Sequence, residues 1–276
     1  MAIDAVKCRH PMTCDLGIAS RLSGSATGDD RHVAGMITLE EKRVMPTLIK
    51  RSEVNRIMRE ADEFIRSFKY TLPPFAFWPP AEFRSRKDQA RAIIESNMGW
   101  DITDFGLGKF YDEGLFLFTV RNGDPANLAR GSGVLYAEKA MISRRDQRCP
   151  MHRHNVKAED IVNRGGGTLV VELCGDTEGA CDRAKDVSVR TDGVWRTLQA
   201  GHKLRLAPGE SVTLMPNEHW HAFWAEGGDV FVGEVSTVND DNADNVFDDP
   251  KVSRFAGIDE DEDPWHLLVS DYKTFL

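Results

Sequence analysis

The sequence contains no unbroken apolar run near the ~18–20 residues that cross a membrane, so no membrane partner is expected. Its first 24 residues also lack the apolar centre of a secretory signal, and a cytoplasmic location follows by default. Positive charge is in the minority: 35 Lys and Arg stand against 44 Asp and Glu, a net charge of −9. That balance argues against a phosphate backbone as partner, so no nucleic acid is expected. Cysteine is scarce, with Cys8, Cys14, Cys149, Cys174 and Cys181. An odd count in a chain that is not small makes a disulfide framework unexpected. Gly165-Gly166-Gly167 lacks the following Lys-Ser/Thr of a phosphate loop. It reads instead as a β-turn with positive φ.

What the chain does have is a 41 % hydrophobic content, ample for a core. Residues 1–49 are assigned to a mobile N-terminal extension, poor in periodicity up to residue 35. Residues 50–99 form a helical segment. Val54, Ile57, Met58, Ala61, Phe64, Ile65 and Phe68 recur at helical spacing opposite a charged face, which predicts an amphipathic helix with Ser52 as N-cap. The four prolines of Leu72 to Pro80 exclude helix there and, with their aromatics, predict an ordered packed loop. A short helix from about Lys87 to Ser96 follows. Residues 100–276 are read as β. Strands are predicted at 115–121, 134–142, 148–154, 168–174, 186–190, 194–198, 203–207, 211–215, 220–225 and 229–236, with Trp265 to Ser270 as a closing strand. Many short strands between turn signals indicate a sandwich or barrel.

The stretch Cys149 to Gly167 carries the chemistry. His152 and His154 lie two apart, so in an extended chain both point to one face. A bend after Asn155 would return Glu159 to that face. Two imidazoles and a carboxylate suit a divalent metal ion. Cys149 has the opposite parity from His152 and is read as a packing residue. Cys174 and Cys181 fit no zinc spacing.

The spacing His-x-His, four residues, Glu, six residues, Gly166 resembles the first signature of the cupin barrels. Pro216-Asn-Glu-His-Trp-His221 is similar to their second signature, with Glu218 where the pattern has Gly. The resemblance implies a mainly β fold: a cupin-type double-stranded β-helix (jelly-roll) barrel, with the N-terminal helical segment packed on it. It goes further. Met151 to Leu173 resembles the D-lyxose isomerase family, as do Asn97 to Gly106, Tyr136 to Lys139, His221 to Glu226 and Gly233 to Asp241. Together these cover about residues 50–276.

That family implies a Mn²⁺-dependent aldose–ketose isomerase, other divalent metals being possible, that acts on a free monosaccharide. The reaction is D-lyxose to D-xylulose, and D-mannose to D-fructose, through an enediol. Carried over, the metal ligands are His152, His154, Glu159 and His221, with His219 the competitor for the last place. Lys157 lies between two ligands and is expected to donate to the developing oxyanion or to act as base. Glu234, a carboxylate in the apolar run Val230 to Val235, is the expected general base; the alternative is a structural carboxylate paired with a neighbouring strand. Asp240 and Arg254 complete the polar set as substrate-binding residues. A homodimer is expected. Two rival functions are an iron dioxygenase using the same three-His, one-Glu set and a non-catalytic sugar-binding cupin.

Overall fold

The computed structural model describes residues 48–241, 243–253 and 257–276. Residues 1–47, assigned above to a mobile extension, and Arg254, assigned to substrate binding, lie outside the described residues.

A short strand β1 (Ile49–Lys50) leads into α1 (Arg51–Ser67). The predicted apolar stripe of α1 is its buried face: Val54, Ile57, Met58, Ala61 and Ile65 are almost wholly inaccessible. Each large apolar side chain so buried stabilises the fold by about 1.5–3 kcal/mol. Ser52 is not the N-cap. The helix starts at Arg51 with Lys50 as its N-cap, two residues earlier than expected, and the Ser52 N–H donates to Asp261 Oδ1 at 2.9 Å. Two features of the proline segment differ from expectation. Pro74 opens a 3₁₀ turn to Phe77, and Pro80 opens α2 (Pro80–Ser85). Proline is excluded only from helix interiors; at the first turn its missing N–H has no partner to lose. The expected helix at 87–96 is the shorter α3 (Arg91–Glu95). The loop is packed as predicted: Phe75 stacks near Phe118, and Trp100 Nε1 donates to the Ala76 carbonyl at 2.9 Å.

The remainder is mainly antiparallel β. The strands are β2 (Gly99–Thr103), β3 (Leu115–Arg121), then, after α4 (Ala126–Arg130), β4 (Tyr136–Ser143), β5 (Cys149–His154), β6 (Glu159–Thr177), β7 (Ala180–Asp182), β8 (Val187–Thr191), β9 (Val194–Leu198), β10 (Lys203–Leu206), β11 (Ser211–Leu214), β12 (His219–Thr237), β13 (Asn245–Phe247) and β14 (Ile258–Asp259). β1 and β14 pair in parallel; the other twelve form one sheet with main path β2-β3-β4-β12-β6-β11-β8-β9. This is the expected mainly β, cupin-like fold with a helical N-terminal segment.

Two 19-residue strands, β6 and β12, hold it together by pairing along nearly their whole length. Both are bent where glycines meet. Gly165-Gly166-Gly167 is therefore not a turn but a break in register inside one strand, facing Gly227-Gly228. Gly166 has φ +103°, and a Cβ there would collide with the Asp229 carbonyl. Past the bend each long strand changes its other neighbour. β12 pairs β5 on one side of the bend and β4 on the other, and β6 pairs β10 and then β11. One sheet so becomes two facing layers. Between them lies a core including Leu117, Met141, Ile161, Val171, Phe223 and Val232. The outer face of β3, β4 and β12 is covered by α1 through Phe116, Phe118, Ala140, Ile142 and Phe231.

Two further expectations are corrected. Trp265 to Ser270 is no strand: Leu268 makes a single bridge to Trp100, and Val269–Asp271 turns as 3₁₀ because the Asp271 carboxylate caps the Leu268 N–H. Cys174 and Cys181, in a chain for which no disulfide framework was expected, are joined by a disulfide; the β6–β7 hairpin brings their Cα atoms to 5.9 Å.

Candidate active site

Four inward-facing rows of side chains turn from apolar to polar at the same end. On β12 the row runs Val230, Val232, Glu234; on β4, Met141 gives way to Lys139; on β6, Ile161 gives way to Glu159; and on the other arm of β12, Phe223 gives way to His221. β5 adds His152 and His154 by simple alternation. These polar ends, with Asp101, Asp241, Asn245 and Phe247, line one cavity of about 740 Å³ counting its open mouth.

The histidines converge. His152 faces His221 across β5 and β12 with ring centroids 4.0 Å apart. Ligand atoms of His152, His154 and His221 all lie within 4.8 Å of one another. Glu159 Oε1 lies 3.2 Å from both His154 Nε2 and His221 Nε2. Yet both ring nitrogens of His154, Glu159 Oε1 and His221 Nδ1 are buried without a hydrogen-bond partner. His152 Nδ1 lies 2.8 Å from the Pro150 carbonyl, which fixes the proton there and leaves Nε2 its lone pair. The set could hold a divalent ion.

Burial, and then the proximity of His154, pushes His152 down to about 3. Burial and His152 likewise hold His221 well below the imidazole range. Burial opposes charge on His154 too, as does Lys157, but the carboxylates of Glu159 and Asp244 outweigh both and raise it. Glu159 is driven well below the carboxylate range by Lys157 and His154 despite burial.

Beside this cluster lies an ionic one. Lys157 Nζ donates to Glu234 Oε1 at 2.9 Å and sits 2.8 Å from Glu159 Oε2. Lys139 Nζ lies 3.1 Å from Asp241 Oδ1 and 3.6 Å from Glu234 Oε1. Ser236 Oγ donates to Glu234 Oε1 at 3.1 Å. Burial is the largest influence on Lys157 and disfavours its charge, but Glu159, Glu234 and Asp241 override it and raise its pKa.

Three sequence readings need restating. His219 is turned away from the cluster: its Nδ1 accepts the Met215 N–H at 2.9 Å and its Nε2 lies 3.0 Å from the Ser188 carbonyl. Asp240 does not line the cavity; its carbonyl ends a turn by accepting from the Ala243 and Asp244 N–H groups, while its neighbour Asp241 faces inward. Cys149 packs in the core as expected, but a register shift at Pro150 puts it on the cavity side instead of away from it. Sequence reasoning singled out no role for Lys139, Asp241 or Asp244. Lys139 carried a signal, being a lysine inside a strand next to Ala140 and Met141. The two aspartates lie in an acidic run with no period to single them out.

The family model described as D-lyxose isomerase matches residues 49–272. The chain belongs to the D-lyxose isomerase family. It is 47 % identical over 233 residues to the D-lyxose/D-mannose isomerase of Serratia proteamaculans, covering 83 % of this chain and all of that one. It is 43 % identical over 232 residues to the protein of the same name from Escherichia coli O157:H7, covering 82 % of this chain and all of that one. In structure it is similar to the L-ribose isomerase of Cellulomonas parahominis, with a TM-score of 0.52 at 20 % identity over 77 % of this chain and 98 % of the other. That last likeness bears on the fold. The family places the chain among the enzymes, as an aldose–ketose isomerase, which is the class the sequence motifs implied. Among the described residues no helix is long and apolar enough to cross a membrane.

Proposed function

We propose that this isomerase converts D-lyxose to D-xylulose, and D-mannose to D-fructose as a second pair, using Mn²⁺ held by His152, His154, Glu159 and His221. The sugar pair is supported by the names of the two relatives matched over their whole length. The metal is supported by the donor set. Three imidazoles and a carboxylate suit Mn²⁺ as well as softer divalent ions. His154 Nε2 and Glu159 Oε1, buried and unpartnered, cost roughly 1–3 kcal/mol each when left so, a cost that a bound ion would offset.

When bound, the ion supplies a Lewis acid for the oxygens at C1 and C2 of the sugar. The protein does the proton work. Glu234 takes the C2 proton, giving the enediol, and returns it to C1. Lys157 donates a hydrogen bond to the oxygen on which negative charge develops. The 2-hydroxyl gives up its proton as C2 becomes the ketone, and O1 gains one. Lys139 and Asp241 hold hydroxyls on the cavity wall. The observation that carries this reading is the contact of one buried lysine, Lys157, with both Glu159 and Glu234 inside the cavity lined by the three histidines.

A cytoplasmic homodimer is part of the same reading, supported by Tyr136 and Val235, large side chains exposed on the adjacent strands β4 and β12. The test is a panel of free aldoses with Mn²⁺-loaded protein, read as ketose formed. D-lyxose should give the highest kcat/KM, with D-mannose second. Ketose from neither sugar would sink the assignment.

A further inference from the structure

Four residues, 155–158, join β5 to β6, and they must do two things. They separate His154 from Glu159, and they send Lys157 back into the cavity while its neighbour Val156 stays 60 % exposed. No period-two alternation imposes that turn, and its first three N–H groups point away from both strands. All three end on one carboxylate. Asp244 Oδ1 accepts from Asn155 N at 3.0 Å and Val156 N at 2.7 Å, and Oδ2 accepts from Lys157 N at 3.1 Å. Successive N–H groups converging on an anion form a nest. Asn155 N–H also reaches the Asp244 carbonyl at 3.1 Å, so the carboxylate is needed most by Val156 and Lys157, at about 1–3 kcal/mol for each N–H left unmet. The same Oδ2 lies 3.3 Å from His154 Nδ1.

We infer that Asp244 is a positioning residue that sets the metal ligand His154 and the catalytic Lys157 together. A metal ion on Nε2, the nitrogen that faces Glu159, would leave the ring proton on Nδ1, and the Asp244 carboxylate stands beside that atom to meet it. Pro150 does the same for His152 with a backbone carbonyl. Asp244 differs in reaching the turn as well, so that one side chain fixes both the ligand's tautomer and the place of Lys157. Its own place is fixed by its N–H, which donates to the Asp240 carbonyl at 3.0 Å, and by the pairing of β13 with β5 immediately after it.

This inference rests on the metal reading above, and the experiment separates the two. Mn²⁺ affinity is measured by equilibrium dialysis for the unaltered protein, Asp244→Asn and His152→Ala, with kcat and KM at saturating Mn²⁺ and a thermal melt for each. The amide of Asp244→Asn can still accept from Asn155 and Val156, but presents N–H donors to Lys157 N and His154 Nδ1. Expected are Mn²⁺ binding weaker by about 10–100-fold and, at saturating metal, kcat lower by up to about 100-fold with KM little changed. A purely structural role would lower the melting temperature and leave both constants intact per folded molecule. Asp244→Asn with unaltered affinity and kcat, beside a parent that binds Mn²⁺, overturns the inference alone. A parent that takes up no Mn²⁺ overturns the metal reading and this inference with it. If Asp244→Asn does not fold, the Zn²⁺-loaded parent labelled with ¹⁵N-histidine decides. A proton on His154 Nδ1 supports the inference, and a proton on Nε2 overturns it.

Discussion

The Lys157 ammonium and the Glu234 carboxylate meet at 2.9 Å, each only 4 % exposed, at the same end of the long β6–β12 pairing, where Glu159 lies opposite Ser236. Neither charge is tolerable alone at that depth. Their contact keeps the lysine charged, and under the proposed enediol route the pair would serve as donor and base.

Glu234→Gln keeps the side chain's length and its ability to accept from Lys157 and Ser236, but abolishes the base. Positioned acid–base catalysis contributes on the order of 10²–10⁴-fold, so kcat should fall by about that factor. Mn²⁺ content and sugar KM should hardly move. The deciding measurement is ketose formation by the metal-replete variant, run beside hydrogen exchange at C2 in deuterated water. Exchange at the parent rate would show that another group takes the C2 proton.

Replacing His221 should empty the metal site, and replacing His219 should not. Alternation along β12 makes the two indistinguishable, since both face the same side. The difference comes from β8, whose Ser188 carbonyl lies 3.0 Å from His219 Nε2 while the Met215 N–H meets its other nitrogen. Metal analysis of purified His221→Ala and His219→Ala settles the matter. Retained Mn²⁺ in the first with loss in the second would reverse the assignment.

The same contrast shows how far the sequence could be read. His152, His154, Glu159 and Glu234 were accessible because strand alternation is a local rule, and the apolar rows that end in them are visible in the order of residues. The bend was not. Gly165 to Gly167 looks like a turn until Gly227 and Gly228 are found opposite, in a strand sixty residues later. Asp241 and Asp244 could not be singled out for a related reason: an acidic run carries no period, and only the β13–β5 pairing brings that run over the His154–Glu159 loop. The side change of Cys149 depends on a register shift against Phe223 that no single strand records. Local rules thus gave the donors. Long-range pairing decided which neighbours support them.

Metal-free protein should lose stability as pH falls below about 6.5, earlier than carboxylate protonation alone would cause. His152 titrates near the ordinary 6.5 when unfolded and at about 3 when folded. Between those values the unfolded state binds the extra proton, so stability drops as pH falls through the window and is fully present above it. One proton of difference is worth about 1.4 kcal/mol per pH unit. His221, also lowered, adds in the same direction. Urea unfolding of the metal-free protein at pH 7, 6 and 5 should show this slope, and His152→Gln should flatten it. An unchanged slope in the variant would mean that His152 is not buried neutral.

The last prediction concerns the frame. Arg51 opens α1 with its guanidinium fully buried, donating to Asp271 at 2.8 and 2.9 Å and to Glu260 at 2.7 and 2.8 Å. Asp271 is itself buried and caps the Leu268 N–H, so this pair pins the helix that covers the sheet to the C-terminal turn that bridges Trp100. Arg51→Met fills similar space but strands the Asp271 charge, and removing one partner of a buried pair typically costs about 3–5 kcal/mol. For a folded unit of this size that corresponds to a melting temperature lower by about 6–20 °C. The double variant Arg51→Met with Asp271→Leu should recover part of the loss, because the stranded charge is gone. Arg51 lies outside the cavity, so kcat of the folded fraction at 25 °C should match the parent. If Arg51→Met melts within a degree of the parent, or if the double variant is worse than the sum of the single changes, the ion pair is not what ties α1 to the chain's end.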